Sequence, residues 1–86
     1  MQTNNTETKI VYPCTWSYRV IGPSRDMVKA AIISILSEKE HSIHYANASR
    51  TGKYHSWSVS LEVENEDERN ALFIDLKNHP HIKIVI

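Results

Sequence analysis

Cys14-Thr15-Trp16-Ser17-Tyr18-Arg19-Val20-Ile21-Gly22-Pro23-Ser24 holds a strand, a turn and a helix start in one run. In an extended chain Trp16, Tyr18 and Val20 fall on one face, and Thr15, Ser17 and Arg19 on the other. The bulky face needs a core that the rest of the chain must supply. Gly22-Pro23 breaks the strand, and the Ser24 hydroxyl is placed to cap the helix that follows. Gly22 is expected to be required at this turn, on the ground of a positive φ if it adopts one.

The helix opens at Ser24-Arg25-Asp26-Met27, with Asp26 suited to the positive helix end, and runs to about Ser37. Val28, Ala31, Ile32, Ile35 and Leu36 form its core stripe. Two strands follow, His41–Ser49 and Lys53–Val63. The second is the clearest in the chain. His55, Trp57, Val59, Leu61 and Val63 share one face; Tyr54, Ser56, Ser58, Ser60 and Glu62 share the other. Burial requires Ile43 and Tyr45 to lie on the side of Val59 and Trp57. Pairing Tyr45 with Trp57 leaves a three-residue loop, Arg50-Thr51-Gly52, with glycine at the third position, where a positive φ is favoured. Asn65 followed by Glu68 approximates a capping box for a second helix ending near Asn78. Leu72, Phe73 and Leu76 form its core stripe, with the stem of Arg69 alongside. His79-Pro80 terminates it. In the last strand Ile82, Ile84 and Ile86 are expected to face the core.

The order is βαββαβ. Two right-handed crossovers and a central hairpin give a ferredoxin-like α+β sandwich. Its four-stranded antiparallel sheet has expected order 4-1-3-2, with both helices on one face. The 86 residues suffice for one domain, read as 10–86 behind a disordered polar tail at 1–9.

Basic and acidic residues number 10 each, for a formal net charge of zero, so composition supplies no excess of positive charge for neutralising phosphates. Only a local basic patch remains open, and DNA binding is not expected. The single cysteine cannot form an internal disulfide and fits a reducing compartment. No apolar run approaches the roughly 20 residues that span a bilayer, and the first nine residues lack a signal-peptide centre. The expectation is a cytoplasmic protein without membrane attachment.

Tyr12-Pro13-Cys14, the alternation through Trp16 and Tyr18, Val20-Ile21-Gly22, Lys53-Tyr54-His55-Ser56 and Glu68-Arg69-Asn70 together resemble the small bacterial YbeD family. The resemblance covers residues 10–86. It implies the same βαββαβ fold, similar to the ACT domains that sense amino acids in metabolic enzymes. It also implies a link to lipoate metabolism, because family genes often lie beside lipoate-synthesis genes. It supplies no catalytic residue, and likeness of fold alone does not assign a ligand.

The residues offer few chemical constellations. Cys14 lacks a Cys-x-x-Cys partner and sits at a strand start, so it reads as a small, partly buried apolar residue before it reads as a thiolate. The histidines do not form a zinc-type set, and His44 and His55 are expected on opposite faces. No metal or other cofactor is expected. The outer sheet face, with Thr15, Ser17, Arg19, Ser56, Ser58 and Ser60, lacks the aromatic pair that RNA-binding modules of this topology use. It suits hydrogen bonding to a protein partner or a small polar ligand. Gly22 and Ser24 present backbone N–H groups at a helix start, an anion or carboxylate site in principle. With Arg19 they are the candidate ligand-binding residues. Ile33 and Ile74 lie off the core stripes beside Ala30 and Ala71 and form, with Ser56, Ser58 and Ser60, the candidate interaction surfaces; a homodimer through the helix face is one outcome. The leading expectation is a non-enzymatic, ACT-like regulatory or protein-docking module. Its rivals are a small-ligand or thiol-dependent protein using Cys14, and a single-stranded RNA binder.

Overall fold

The structure is a computed structural model and describes residues 10–86; the expected tail at 1–9 lies outside the described residues. The elements are β1 (Cys14–Gly22), α1 (Arg25–Leu36), β2 (His41–Ala48), β3 (His55–Val63), α2 (Glu66–Lys77) and β4 (Ile84–Val85). They form one antiparallel sheet in the order β2-β3-β1-β4, which is the expected 4-1-3-2 read from the other edge. Both helices cover one face. None of the described helices is long and apolar enough to cross a membrane.

The centre of the sheet is the β1–β3 pair, matched without interruption from Cys14 opposite Val63 to Gly22 opposite His55. Its helix-facing side delivers Tyr18, Val20, Trp57, Val59, Leu61 and Val63 to the core, each at most 6% exposed. The helices answer with Val28, Ala31, Ile32 and Leu36 from α1 and Leu72 and Leu76 from α2; Ile35 and Phe73 pack at the rim. Burying side chains of this size contributes about 1.5–3 kcal/mol each, which makes the alternation in β1 and β3 the main determinant of the fold. Polar tips on this face are satisfied locally. Trp57 Nε1 donates to the Arg25 carbonyl at 3.0 Å, and the Tyr18 hydroxyl donates to the Arg69 carbonyl at 2.6 Å. Burial raises the Tyr18 pKa above its ordinary value. The Arg69 guanidinium lies 4.5 Å from the centre of the Trp16 ring, a cation–π contact between α2 and β1.

Three expectations are corrected. The hairpin keeps Tyr45 opposite Trp57, but Ala46 is an extra residue, and beyond it Asn47 pairs with Ser56 and Ala48 with His55. This bulge moves the closing pair to Ser49 and Tyr54, where Ser49 N–H donates to the Tyr54 carbonyl at 2.8 Å. The loop therefore has four residues, 50–53, although Gly52 does take the positive φ, at 76°. Second, Ile84 and Ile86 face outward. Val85 pairs with the core residue Val20 and Ile84 with Ile21, and the partner strand sets the facing. Ile82 is buried, but it lies in the turn before β4, where its N–H donates to the His79 carbonyl, so its burial fixes no strand parity. Third, Gly22 does not take a positive φ. It is buried, and a Cβ there would collide with the His81 carbonyl oxygen and lie 2.5 Å from Val28 Cγ2. Glycine is required by close approach of the chain.

Gly22→Ala is therefore expected to destabilise by about 1–3 kcal/mol through overpacking, and Gly22→Val by more. Urea unfolding of both variants checks this; an unchanged midpoint for Gly22→Ala removes the packing explanation.

Candidate functional site

The outer face of the sheet is uncovered, and cross-strand pairing arranges it in rows. Ile84, Ile21, Ser56 and Asn47 form the row nearest the β2–β3 hairpin loop. Ile86, Arg19, Ser58 and His44 form the next; Arg19 and Ile86 exchange both backbone hydrogen bonds, at 3.0 and 2.9 Å. Ser17, Ser60 and Ser42 form the third, with the Ser17 and Ser60 hydroxyls 2.8 Å apart. Thr15 and Glu62 form the fourth.

These rows lie on a larger polarity. The β1 C-terminus, the starts of α1, β3 and β4, and the end of α2 all meet at one end of the molecule, because the sheet is antiparallel with crossovers between its strands. That end carries Arg25, Lys29, Arg50, Lys53, Lys77 and Lys83, against Asp26 and Asp75. The opposite end carries Glu38 and Glu40 after α1, Glu62 and Glu64 around the β3 terminus, and Glu66, Asp67 and Glu68 opening α2, against Lys39 and Arg69. Both ion pairs among the described residues, Lys39–Glu68 and Arg69–Glu66, lie at the acidic end. The cations of the basic end have no carboxylate partner among the described residues. Helix dipoles account for the charges on α2, which has acids first and Lys77 last; on α1 Asp26 suits the positive end, but Arg25 beside it and Glu38 and Glu40 after the helix do not follow the dipole. The net charge of zero thus conceals a protein with two oppositely charged ends.

Two hollows adjoin the outer face. The larger, about 500 Å³, is at the acidic end, with a mostly polar lining that includes Thr15, His41, Ser42, Ser60 and Glu62. Its cation Lys39 is held by Glu68, and His41 Nδ1 lies 2.7 Å from the Lys39 carbonyl. The smaller, about 140 Å³, is at the basic end. Its mostly apolar exposed lining comes from Ile21, Asn47, Ala48, Tyr54 and Ser56, among others.

The sequence candidates distribute unevenly over this surface. Arg19 and Ser58 face each other on the outer side. Ser58 and Ser60 are half-buried, and Ser56, expected to be exposed, is buried at 8% and lines the small hollow. Gly22 and Ser24 do not join Arg19. Gly22 is packed against the His81 carbonyl, and the Ser24 hydroxyl accepts the Met27 N–H at 3.3 Å as the helix cap. Ile33 and Ile74 are exposed at 44% and 52%, beside the exposed Ala30 and Ala71. Cys14 is half-buried opposite Val63 and packs against the core. No group of three or more potential metal ligands occurs among the described residues. What the sequence reading missed is Asn47, Ala48 and the hairpin cations; adding charge sign to the strand diagram would have found the cations.

The architecture defines a ferredoxin-like α+β domain with one open sheet face. Residues 7–86 match the family described as protein of unknown function DUF493, and the chain belongs to that family. A Helicobacter pylori protein described as uncharacterised is 34% identical over 85% of both chains. A protein named UPF0250 from Hahella chejuensis is 32% identical over 91% of this chain and 90% of its own. The solution structure of protein HP0495 from H. pylori superposes with a TM-score of 0.79 at 30% identity, covering 100% of this chain and 94% of that one.

At the acidic end Glu68 ties three segments together. Its backbone N–H donates to Asn65 Oδ1 at 2.8 Å, its Oε1 accepts the Glu64 N–H at 2.7 Å, and its Oε2 pairs with Lys39. The hydrogen bond from Lys39, followed by that from the Glu64 backbone, lowers the Glu68 pKa below its ordinary 4.5. A lowered folded-state pKa contributes stability above the unfolded value, and this is lost as pH falls through the folded value. Wild type is expected to exceed Glu68→Gln in stability at neutral pH and to converge with it below pH 4.5. Denaturant midpoints across the acid range test this; a gap that persists at the lowest pH removes the ion-pair account.

Proposed function

We propose that this protein is a non-enzymatic docking module of ACT-like build that engages another protein through its basic end and the adjoining outer sheet face. The observation that carries the reading is the segregation of charge: cations with no carboxylate partner among the described residues gather at one end, where they attract and orient an anionic partner surface. Exposed Ile84, Ile86 and Tyr54 beside those cations supply the apolar part that a protein interface combines with a polar rim. The rival thiol reading draws little support from Cys14, which packs at the core's edge. RNA binding draws little from an outer face on which the central strands β1 and β3 carry no aromatic residue; its rings are those of Tyr54 before β3 and His44 on the edge strand β2. The link to lipoate metabolism rests on the family resemblance and directs the first search for a partner to lipoate-handling proteins.

Quantitative affinity capture from a bacterium carrying this protein, with nuclease present, compares wild type with Arg50→Glu/Lys53→Glu and with Glu64→Lys/Asp67→Lys. The basic-end variant is expected to lose the partner by about tenfold or more, while the acidic-end variant retains it. Equal recovery by all three, or recovery abolished by nuclease, overturns the reading.

A further inference from the structure

The small hollow at the basic end has a composition that narrows the partner. The Ala46 bulge turns Asn47 to the outer face beside Ser56 and leaves the four-residue loop that carries Arg50 and Lys53. Between that loop and Ile21 the surface sinks into a recess of about 140 Å³. This is close to the ~150 Å³ of a cavity that accommodates a benzene ring, and so suits one leucine- or phenylalanine-sized side chain. Bulges commonly re-aim a strand beside a binding site. Ser56 lines this recess and is buried although it occupies an outward position.

Cationic residues adjoin the lining of this recess in sequence or in strand pairing. Arg50 and Lys53 lie in the loop between two lining residues, Ser49 and Tyr54. Lys83 donates its backbone N–H to the Ile21 carbonyl at 2.7 Å, and Arg19 is the next outward residue along β1 from Ile21. Tyr45 and Trp57 lie behind the recess on the helix-facing side of the sheet, where cations of α1 cover them. The Arg25 guanidinium is 3.9 Å from the Tyr45 ring centre, and Lys29 is 5.6 Å from that of Trp57. On the outer side the rings are those of Tyr54, which lines the recess, and of His44 on the edge strand β2; the central strands β1 and β3 present no aromatic pair for stacking bases, which favours a peptide over a single-stranded nucleic acid.

We propose that this recess receives one apolar side chain from an acidic segment of a partner protein, with carboxylates on either side of that side chain meeting Arg19, Arg50, Lys53 and Lys83. The proposal rests on the docking reading and specifies its chemistry: the apolar residue provides the anchor, and the flanking acids provide orientation and rate of encounter.

The test uses the full chain, isotope-labelled, and four probes at low salt: an Asp/Glu dodecapeptide with one central leucine, the same peptide with alanine there, a glutamate dodecapeptide, and a twelve-nucleotide oligouridylate. The leucine peptide is expected to bind about tenfold more tightly than the alanine peptide, shifting the resonances of Ile21, Ala48 and Tyr54. Tyr54→Ala should erase that preference while leaving glutamate-peptide binding in place. Arg50→Glu/Lys53→Glu should weaken every peptide, with folding of both variants checked by circular dichroism. Equal affinity for the three peptides overturns the anchored recess and leaves the docking reading standing. Binding of the oligouridylate in preference to every peptide overturns both. Binding of no probe overturns the anchored recess, as does self-association in sedimentation that places the acidic end of a second copy on the recess.

Discussion

The antiparallel match between β1 and β3 is the contact on which the other elements depend. Nine consecutive pairs run from Cys14–Val63 to Gly22–His55, and every helix-facing apolar side chain along them enters the core or its rim. A slip of one residue by either strand would turn its own core residues to solvent, Tyr18 and Val20 on β1 or Trp57 and Val59 on β3, so the register is held by burial as much as by hydrogen bonds. The strand ends at Gly22, where the chain passes so close to His81 and Val28 that a side chain has no space. This contact brings the segment before β4 against the turn into α1, and so fixes how the C-terminal strand returns to β1.

The same topology sorts the charges. Each strand and helix joins the two ends of the sandwich, and residues far apart in sequence meet wherever elements begin or finish. Lys77 and Lys83 thereby share an end with Arg25, Lys29 and the hairpin cations, while three acids at the start of α2 join those that follow α1 and close β3. Like charges brought together cost stability through mutual repulsion. On α1 only Asp26 follows the helix dipole, while Arg25, Glu38 and Glu40 do not, so the dipole does not account for the pattern. The acidic end relieves part of this cost through Lys39–Glu68 and Arg69–Glu66, whereas the basic end has no such relief among the described residues. A partner that brings carboxylates to the basic end would provide it.

The sequence determined the elements, because alternation, helical stripes and capping residues are local signals that survive in the folded state. Ser24 and Asn65 cap as their positions require, and Tyr45 meets Trp57 because both need the core. Burial parity also yielded the sheet order through the handedness of the crossovers.

The facing of β4, the bulge at Ala46 and the reason for Gly22 came only with the tertiary structure. The alternation of Ile82, Ile84 and Ile86 is the same whichever side faces inward; opposition of Val85 to Val20 broke that tie. A bulge changes pairing without changing the hydrophobic pattern on either side, so Asn47 and the recess beside Ser56 left no periodic trace. Arg19 and Ser56 were legible as outward residues of strands, but their grouping with Arg50, Lys53 and Lys83 was not. A net charge of zero is a sum over the chain, and only the fold decides which charges become neighbours.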